Sequence, residues 1–222
     1  MIKIENVETY AWETAVRGMR NPMNSWDKSD SGYGCGSLQC DYCGLFDCQQ
    51  HHTKFVLGPN DLDLACRLVK AGSDHSKFMR QILVSMDITA PLYWWKEFDT
   101  YKVGTVANSC STMHKIHSKP FTREDFSHER LTDDALYVLD ALITYLNGER
   151  VNFNNTGDKS CWHNIIQLLP SSYNQRRTVT LNYAVLRNMY HARKHHKLDE
   201  WRDFCHELSI LSYAKELICD GV

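Results

Sequence analysis

Three stretches of this 222-residue sequence carry side chains whose types and spacing could do chemistry. The first is Cys35-x4-Cys40-x2-Cys43-x4-Cys48-x2-His51-His52. The two-residue gap between Cys40 and Cys43 lets both sulfurs face one ion, and Gly36 and Gly44 permit tight turns beside them. A structural zinc held by the four thiolates of Cys35, Cys40, Cys43 and Cys48, or by three thiolates and a histidine, is the favoured metal reading, with an iron–sulfur cluster and a catalytic metal the weaker ones. A loop of free thiols stands against all of them. The second stretch runs from Gly72 to His114. In it His75 precedes a strand, and an aromatic helix leads to Thr100-Tyr101-Lys102-Val103-Gly104-Thr105, then to Asn108-Ser109-Cys110-Ser111. Hydroxyls, an amide and one lysine after an aromatic helix suit a phosphate or a flavin ring. The plain alternative is an ordinary polar turn. The third is Asn182-x5-Asn188-x4-Arg193. At about 100° per residue, Arg193 returns to within roughly 20° of Asn182, and Asn188 lies within about 120°. Two amides and a guanidinium on one side of a helix could meet a phosphate or a pyrimidine carbonyl. A solvated polar face is the alternative, with Arg187, Lys194 and Lys197 close by.

These side chains need elements to hold them. Residues 2–10 alternate like a strand, and residues 20–60 show turn residues without a period, the pattern of a long irregular excursion. From Asn60, an N-cap, a helix runs to Gly72, with Leu64, Leu68 and Val69 on one face. Ile82, Val84, Met86 and Ile88 alternate with less apolar neighbours, a half-buried strand. Pro91 suits the first turn of a helix through Trp94, Trp95 and Phe98. Thr132 caps a helix that Asn147-Gly148 should stop. An apolar run from Ile165 closes at Pro170, and further helices are expected over 179–194 and about 198–218. Strands and helices interleave without a βαβ rhythm, so the expected class is α+β, a mixed sheet flanked by helices, in one domain with a cysteine-rich insertion at about 31–54.

Composition narrows the partners. Hydrophobic residues are 43% and charged residues 23%, enough for a packed core. The formal charge of -2 argues against nucleic-acid or polybasic membrane binding. There is no run of about 18 apolar residues to span a bilayer, and no apolar signal core at the start. A cytoplasmic protein with reduced thiols is the expectation. Nine cysteines cannot all pair within one chain.

Read in order, the segments from about residue 60 to 212 resemble the flavin-dependent thymidylate synthases. The family pattern has Gly-His-x-Ser/Thr, then Ala-Pro, an aromatic helix, Arg-His-Arg-x-x-Ser, Ser-x-Arg-Tyr, Leu-Pro, and Asn-x-Arg-x3-Asn-x4-Arg. This chain has Gly72 to His75, Ala90-Pro91, Leu169-Pro170, Asn182, Asn188 and Arg193 at that spacing. It departs from the pattern where Thr100, Met113 and Ala184 stand for arginines, so Lys102 is the one cation kept in the signature loop. Losing permanently charged bidentate donors is not conservative. The resemblance implies FAD near His75, Tyr101, Lys102, Asn182 and Asn188. It also implies a dUMP-type pyrimidine nucleotide near Ser111 and Arg193, a folate methylene donor, NADPH and a homotetramer. Two alternatives remain open: a non-catalytic or altered-substrate nucleotide binder on the same fold, and an interaction module built on the zinc loop.

Overall fold

The structure is a computed structural model that describes residues 2–34 and 54–220. Its strands are β1 (Lys3–Tyr10), β2 (Gly32–Gly34), β3 (Lys54–Val56), β4 (Leu83–Pro91), β5 (Val106–Ser109) and β6 (Asn174–Asn182). Its helices are α1 (Trp12–Arg20), α2 (Pro59–Lys70), α3 (Leu92–Phe98), α4 (Asp133–Thr156), α5 (Lys159–Leu168), α6 (Tyr183–Arg193) and α7 (Asp199–Ser209). The main sheet has the order β1-β4-β6-β5, and helices flank it, as the α+β reading expects. Along β4 the alternation holds: Val84, Met86, Ile88 and Ala90 are buried, and their neighbours less so.

The chain forms two compact units. One comprises residues 1–7, 86–179 and 195–204, the other 8–85, 180–194 and 205–222. In the first unit, α4 and α5 enclose a core of Phe121, Phe126, Leu139, Leu146 and Ile165. Helix α4 does not stop at Asn147-Gly148 but continues to Thr156, where Gly157 takes the left-handed cap at φ 72°. Asn147 is not free to cap. Its amide donates to the Phe121 carbonyl at 2.9 Å and accepts from the Phe121 N–H at 2.8 Å. Burial of Leu142, Ile143 and Leu146 on the helix outweighs the roughly 1 kcal/mol that Gly148 costs in mid-helix. Helix α3 starts one residue later than expected, with Pro91 as its N-cap. The orphan N–H groups of Leu92 and Tyr93 donate to the carbonyls of Tyr173 and Ser171, both at 3.0 Å.

In the second unit the irregular excursion has more order than its composition indicates. Residues Asn21–Met23 and Trp26–Lys28 form 3-10 turns. Strands β2 and β3 pair antiparallel, Tyr33 opposite Phe55, with ring centroids 5.4 Å apart. Helix α2 begins at Pro59 rather than Asn60, and its first N–H groups are capped from a distance: the Asp30 carboxylate accepts from Asn60 N–H at 2.8 Å and Asp61 N–H at 3.0 Å. The expected helix over 179–194 begins only at Tyr183, because residues to Asn182 belong to β6. The expected helix to 218 breaks after Ser209 and resumes as a π-helical turn, Lys215–Cys219. Tyr213 makes the break, at φ 55°. Its hydroxyl accepts from Leu57 N–H at 2.9 Å, and its ring meets Trp12 edge-on. No helix among the described residues is long and apolar enough to cross a membrane.

Candidate functional site

In the first unit, α3 buries Trp94, Trp95 and Phe98 beside Trp201 and Phe204. The Trp201 indole donates to Glu97 at 3.0 Å. Below Phe98 the helix unwinds through Thr100, whose hydroxyl donates to the Glu97 carbonyl at 2.7 Å. Tyr101 follows, half-buried and edge-on to Trp201 at 6.1 Å. Lys102 is exposed, and Gly104 turns the chain at φ 76° into β5. The Thr105 hydroxyl is buried and has no hydrogen-bond partner among the described residues. Ser111, at the far end of β5, accepts from the N–H groups of Met113 and His114 at 3.1 and 3.0 Å. Tyr101 and Lys102 thus open the loop, and Ser111 closes it as a turn residue.

Strand β6 supplies two cations beside this loop that the sequence reading missed. Cys110 N–H donates to the Arg176 carbonyl at 2.9 Å, and Gln175 donates to the Cys110 carbonyl at 2.8 Å. Arg177 lies over the Trp95 ring at 4.2 Å and pairs with Asp99 at 2.8 Å. Arg176 donates to Asp87 at 2.7 Å. Asp87 also accepts from Thr178 and Asn6, and these three hydrogen bonds, Thr178 first, hold its carboxyl well below the usual carboxylate range. The available signal was the Arg-Arg pair six residues beyond Pro170, in a segment too short to show a period.

The second unit holds the remaining predicted residues. Asn182 is not a helix-face residue but the N-cap of α6. It is buried, and its side-chain oxygen accepts from Val185 N–H at 3.0 Å. Its amide N–H groups are left to meet a ligand. Asn188 is exposed in mid-helix, and Arg193 is half-buried at the last residue of α6. His75 is exposed in the turn before the 3-10 segment Lys77–Arg80, which packs against α6. The four metal candidates Cys35, Cys40, Cys43 and Cys48 lie outside the described residues. Among the described residues no group of three or more His, Cys, Asp or Glu could hold a metal ion.

The same unit buries an ion pair. Asp61 is fully buried, and one of its oxygens accepts from Arg20 Nε at 2.6 Å. The other accepts from the hydroxyls of Ser29 and Ser31, at 2.7 and 2.6 Å, and from the N–H groups of Asp30 and Ser31. Burial pushes the Asp61 carboxyl up, but the Ser29, Ser31 and Arg20 hydrogen bonds outweigh it and hold the carboxyl below its ordinary value. Every acceptor site is taken, so this cluster organises the fold rather than a ligand.

A third polar region lies in the first unit, where cavities of about 530 and 260 Å³ share Tyr93, Glu129, Arg130 and Glu200. The Tyr93 hydroxyl donates to buried Glu200 in a short hydrogen bond, and burial followed by that bond pushes its pKa up.

Of these regions, the loop from Tyr101 to Ser111 fits a flavin or a nucleotide best. It offers an orphan hydroxyl, an exposed ammonium and an aromatic wall, with the β6 arginines adjoining. No protein-family model matches the chain, and no curated protein matches it. Solved structures do. A crystal structure of thymidylate synthase X from Helicobacter pylori with FAD and dUMP covers 98% of this chain and 97% of its own, at TM-score 0.67 and 15% identity. The UMP/dUMP methylase PolB from Streptomyces cacaoi, bound with 5-Br UMP, covers 97% and 89% at TM-score 0.61 and 13% identity. The PolB structure bound with 5-Br dUMP covers 97% and 91% at TM-score 0.57. The chain therefore has the fold of the flavin-dependent thymidylate synthase X structures, from one end to the other.

Proposed function

We propose that this chain, acting as a single domain, is a flavin-dependent thymidylate synthase-like protein of nucleotide biosynthesis that binds FAD and a dUMP-type pyrimidine deoxynucleotide. The supporting observation is the end-to-end fold likeness to a structure solved with both molecules. Reductive methylation, with a folate as methylene donor and NADPH as reductant, is the reaction in this reading. Bound FAD would supply the hydride chemistry, while the protein positions the ring and the pyrimidine. His75, Tyr101, Lys102, Asn182 and Asn188 are assigned to the flavin, Asn182 as a donor because its oxygen already caps α6. Ser111 and Arg193 are assigned to the nucleotide. The Ser111 oxygen accepts two backbone N–H groups, which leaves its O–H to donate. A homotetramer in the cytoplasm, with a structural zinc in the cysteine loop, completes the reading.

One observation favours an altered substrate. Thr100, Met113 and Ala184 stand where the family pattern has arginines. Each lost charge-assisted phosphate contact costs about 1.5–3 kcal/mol, so dUMP turnover should be weak unless Arg176 and Arg177 compensate. Purification tests the flavin directly: the protein should emerge yellow, or bind added FAD and then dUMP or UMP. Protein that takes up neither flavin nor pyrimidine nucleotide sinks the proposal. Arg193→Ala should weaken nucleotide binding at least about tenfold and leave the melting temperature in place, while Lys194→Ala should do neither. Elemental analysis should find about one zinc per chain, and its absence removes the metal alone.

A further inference from the structure

Arg150, on α4 in the first unit, makes no hydrogen bond or ion pair with the described residues. It lies where the segment from Met113 to Phe121 crosses the helix, and that segment is clamped on both sides of it. Asn154 donates to the His117 carbonyl at 3.3 Å, and Asn147 exchanges two hydrogen bonds with the Phe121 backbone, at 2.8 and 2.9 Å. Residues 147, 150 and 154 share one stripe of the helix, so Arg150 sits between the clamps. The His117 ring meets Phe153 edge-on at 4.8 Å. A helical side chain leans over the turn before its own Cα, which carries Phe153, and His117 with it, over the turn of Arg150. Both Arg150 and His117 are half-buried. Arg150 Nε and His117 Nδ1 are closed to solvent, and neither has a hydrogen-bond partner among the described residues. Their other nitrogens are not closed off.

The charge here has one sign. His114 and Lys115 are exposed on the same segment, and their side chains pair with nothing among the described residues. The acids of the neighbouring turns are engaged. Glu149 accepts from Asn164 at 2.9 Å, Asp125 pairs with Lys119 at 2.8 Å, and Asp158 caps α5 through Ser160 N–H at 2.8 Å. Half-buried charges are normally paired, and buried polar groups normally hydrogen-bonded, so a guanidinium held in place with neither is an incomplete arrangement. What completes it is an anion with several oxygens. The paired Nη groups of an arginine match two oxygens of a phosphate, an imidazole Nε2 can donate to a third, and a lysine adds a mobile point charge. A carboxylate would fill the arginine fork and leave the other donors idle. The geometry points to a phosphate-binding site made by Arg150, His117 and Lys115, where the segment from Met113 to Phe121 crosses α4. The inference does not rest on the flavin reading, and flavin binding can fail while it stands.

Calorimetric titration of the full chain with inorganic phosphate tests it, at constant ionic strength made up with chloride so that general screening does not change. Binding at about 1 mM or tighter is expected. Arg150→Met keeps most of the side-chain bulk and removes the charge, and should weaken phosphate at least about tenfold. In chloride alone the same variant should melt at the native temperature or above, because an unpaired half-buried charge has gone. That second readout separates lost binding from lost folding. Lys115→Ala, at an exposed position, should weaken phosphate by a smaller factor, about threefold. Lys70→Ala, on α2 in the other unit, should change nothing. Titrations with dUMP and deoxyuridine then distinguish the source of the phosphate. If Arg150→Met weakens dUMP and spares deoxyuridine, the site holds the nucleotide's own phosphate. If it weakens inorganic phosphate and spares dUMP, the site takes a separate one, and the inference stands in both cases. No phosphate binding to the native chain up to about 10 mM overturns it. So does phosphate affinity that Arg150→Met leaves unchanged, or a melting temperature that this variant lowers in chloride, which would give Arg150 a structural partner instead.

Discussion

Asp61 and Lys102 are both charged, and their surroundings are opposite. Asp61 is fully buried, and the guanidinium, two hydroxyls and two N–H groups around it saturate its oxygens. Lys102 is exposed on a loop that also holds an unpartnered buried hydroxyl at Thr105 and a turn serine at Ser111. The first arrangement leaves nothing for a ligand and holds three chain segments together. The second leaves donors unspent, which adds nothing to the folded state and everything to a site that must receive a molecule. A polar cluster is thus read as structure or as site by whether its hydrogen-bonding capacity is already used.

The largest expected effect tests the saturated side. Asp61→Ala leaves the Arg20 charge buried without its partner and should destabilise by about 3–5 kcal/mol in chemical denaturation. A loss below about 1 kcal/mol would mean that water replaces the carboxylate, and the contrast with Lys102 would fail. Gly58→Ala comes next. A Cβ there would lie 2.2 Å from the Asp30 side chain and 2.4 Å from its carbonyl oxygen, so the strap that caps α2 must move. A loss of about 1–3 kcal/mol is expected.

Acid sharpens the same comparison. The carboxyls of Asp61 and Asp87 both sit below their ordinary value in the folded chain. Their contribution is fully present above the unfolded aspartate value of about 3.9 and is lost as pH falls through the folded values. The melting temperature should therefore drop as pH falls below about 4, and Asp87→Asn should make that drop shallower. An unchanged slope in the variant would show that Asp87 gains nothing from Arg176, Thr178 and Asn6.

The smallest effects on stability belong to the open loop. Thr105→Val removes an unsatisfied hydroxyl and should leave stability unchanged or raise it by up to about 1 kcal/mol, while weakening FAD binding. Lys102→Ala should stay within about 0.5 kcal/mol in stability and lower FAD affinity about tenfold. Titration by flavin fluorescence reads both. If Lys102→Ala destabilises the chain and spares FAD, the loop is structure after all.

Much of the frame was legible because it is local. Alternation from Ile82 to Ile88 gave β4, and the aromatic run after Pro91 gave α3. The errors came where distant residues decided. Asn147-Gly148 reads as a stop, yet Asn147 is bound to Phe121, far away in sequence. Asn60 reads as a cap, yet the capping oxygens come from Asp30. Asn182 reads as a helix-face amide, yet it is the N-cap of α6, because periodicity cannot show where a strand hands over to a helix. Arg176 and Arg177 stand out only as an Arg-Arg pair after Pro170, since their place beside β5 depends on strand order.

The sequence by itself determined the class of fold, most of the elements and the segments to examine, because hydrophobic period and turn chemistry act over a few residues. Only the tertiary structure decided that Asp61 is saturated, that Asn182 has one oxygen already committed and that the Thr105 hydroxyl is unpartnered. Each of these depends on which segments meet in space, and burial and hydrogen-bond satisfaction are properties of that meeting rather than of any one stretch of chain.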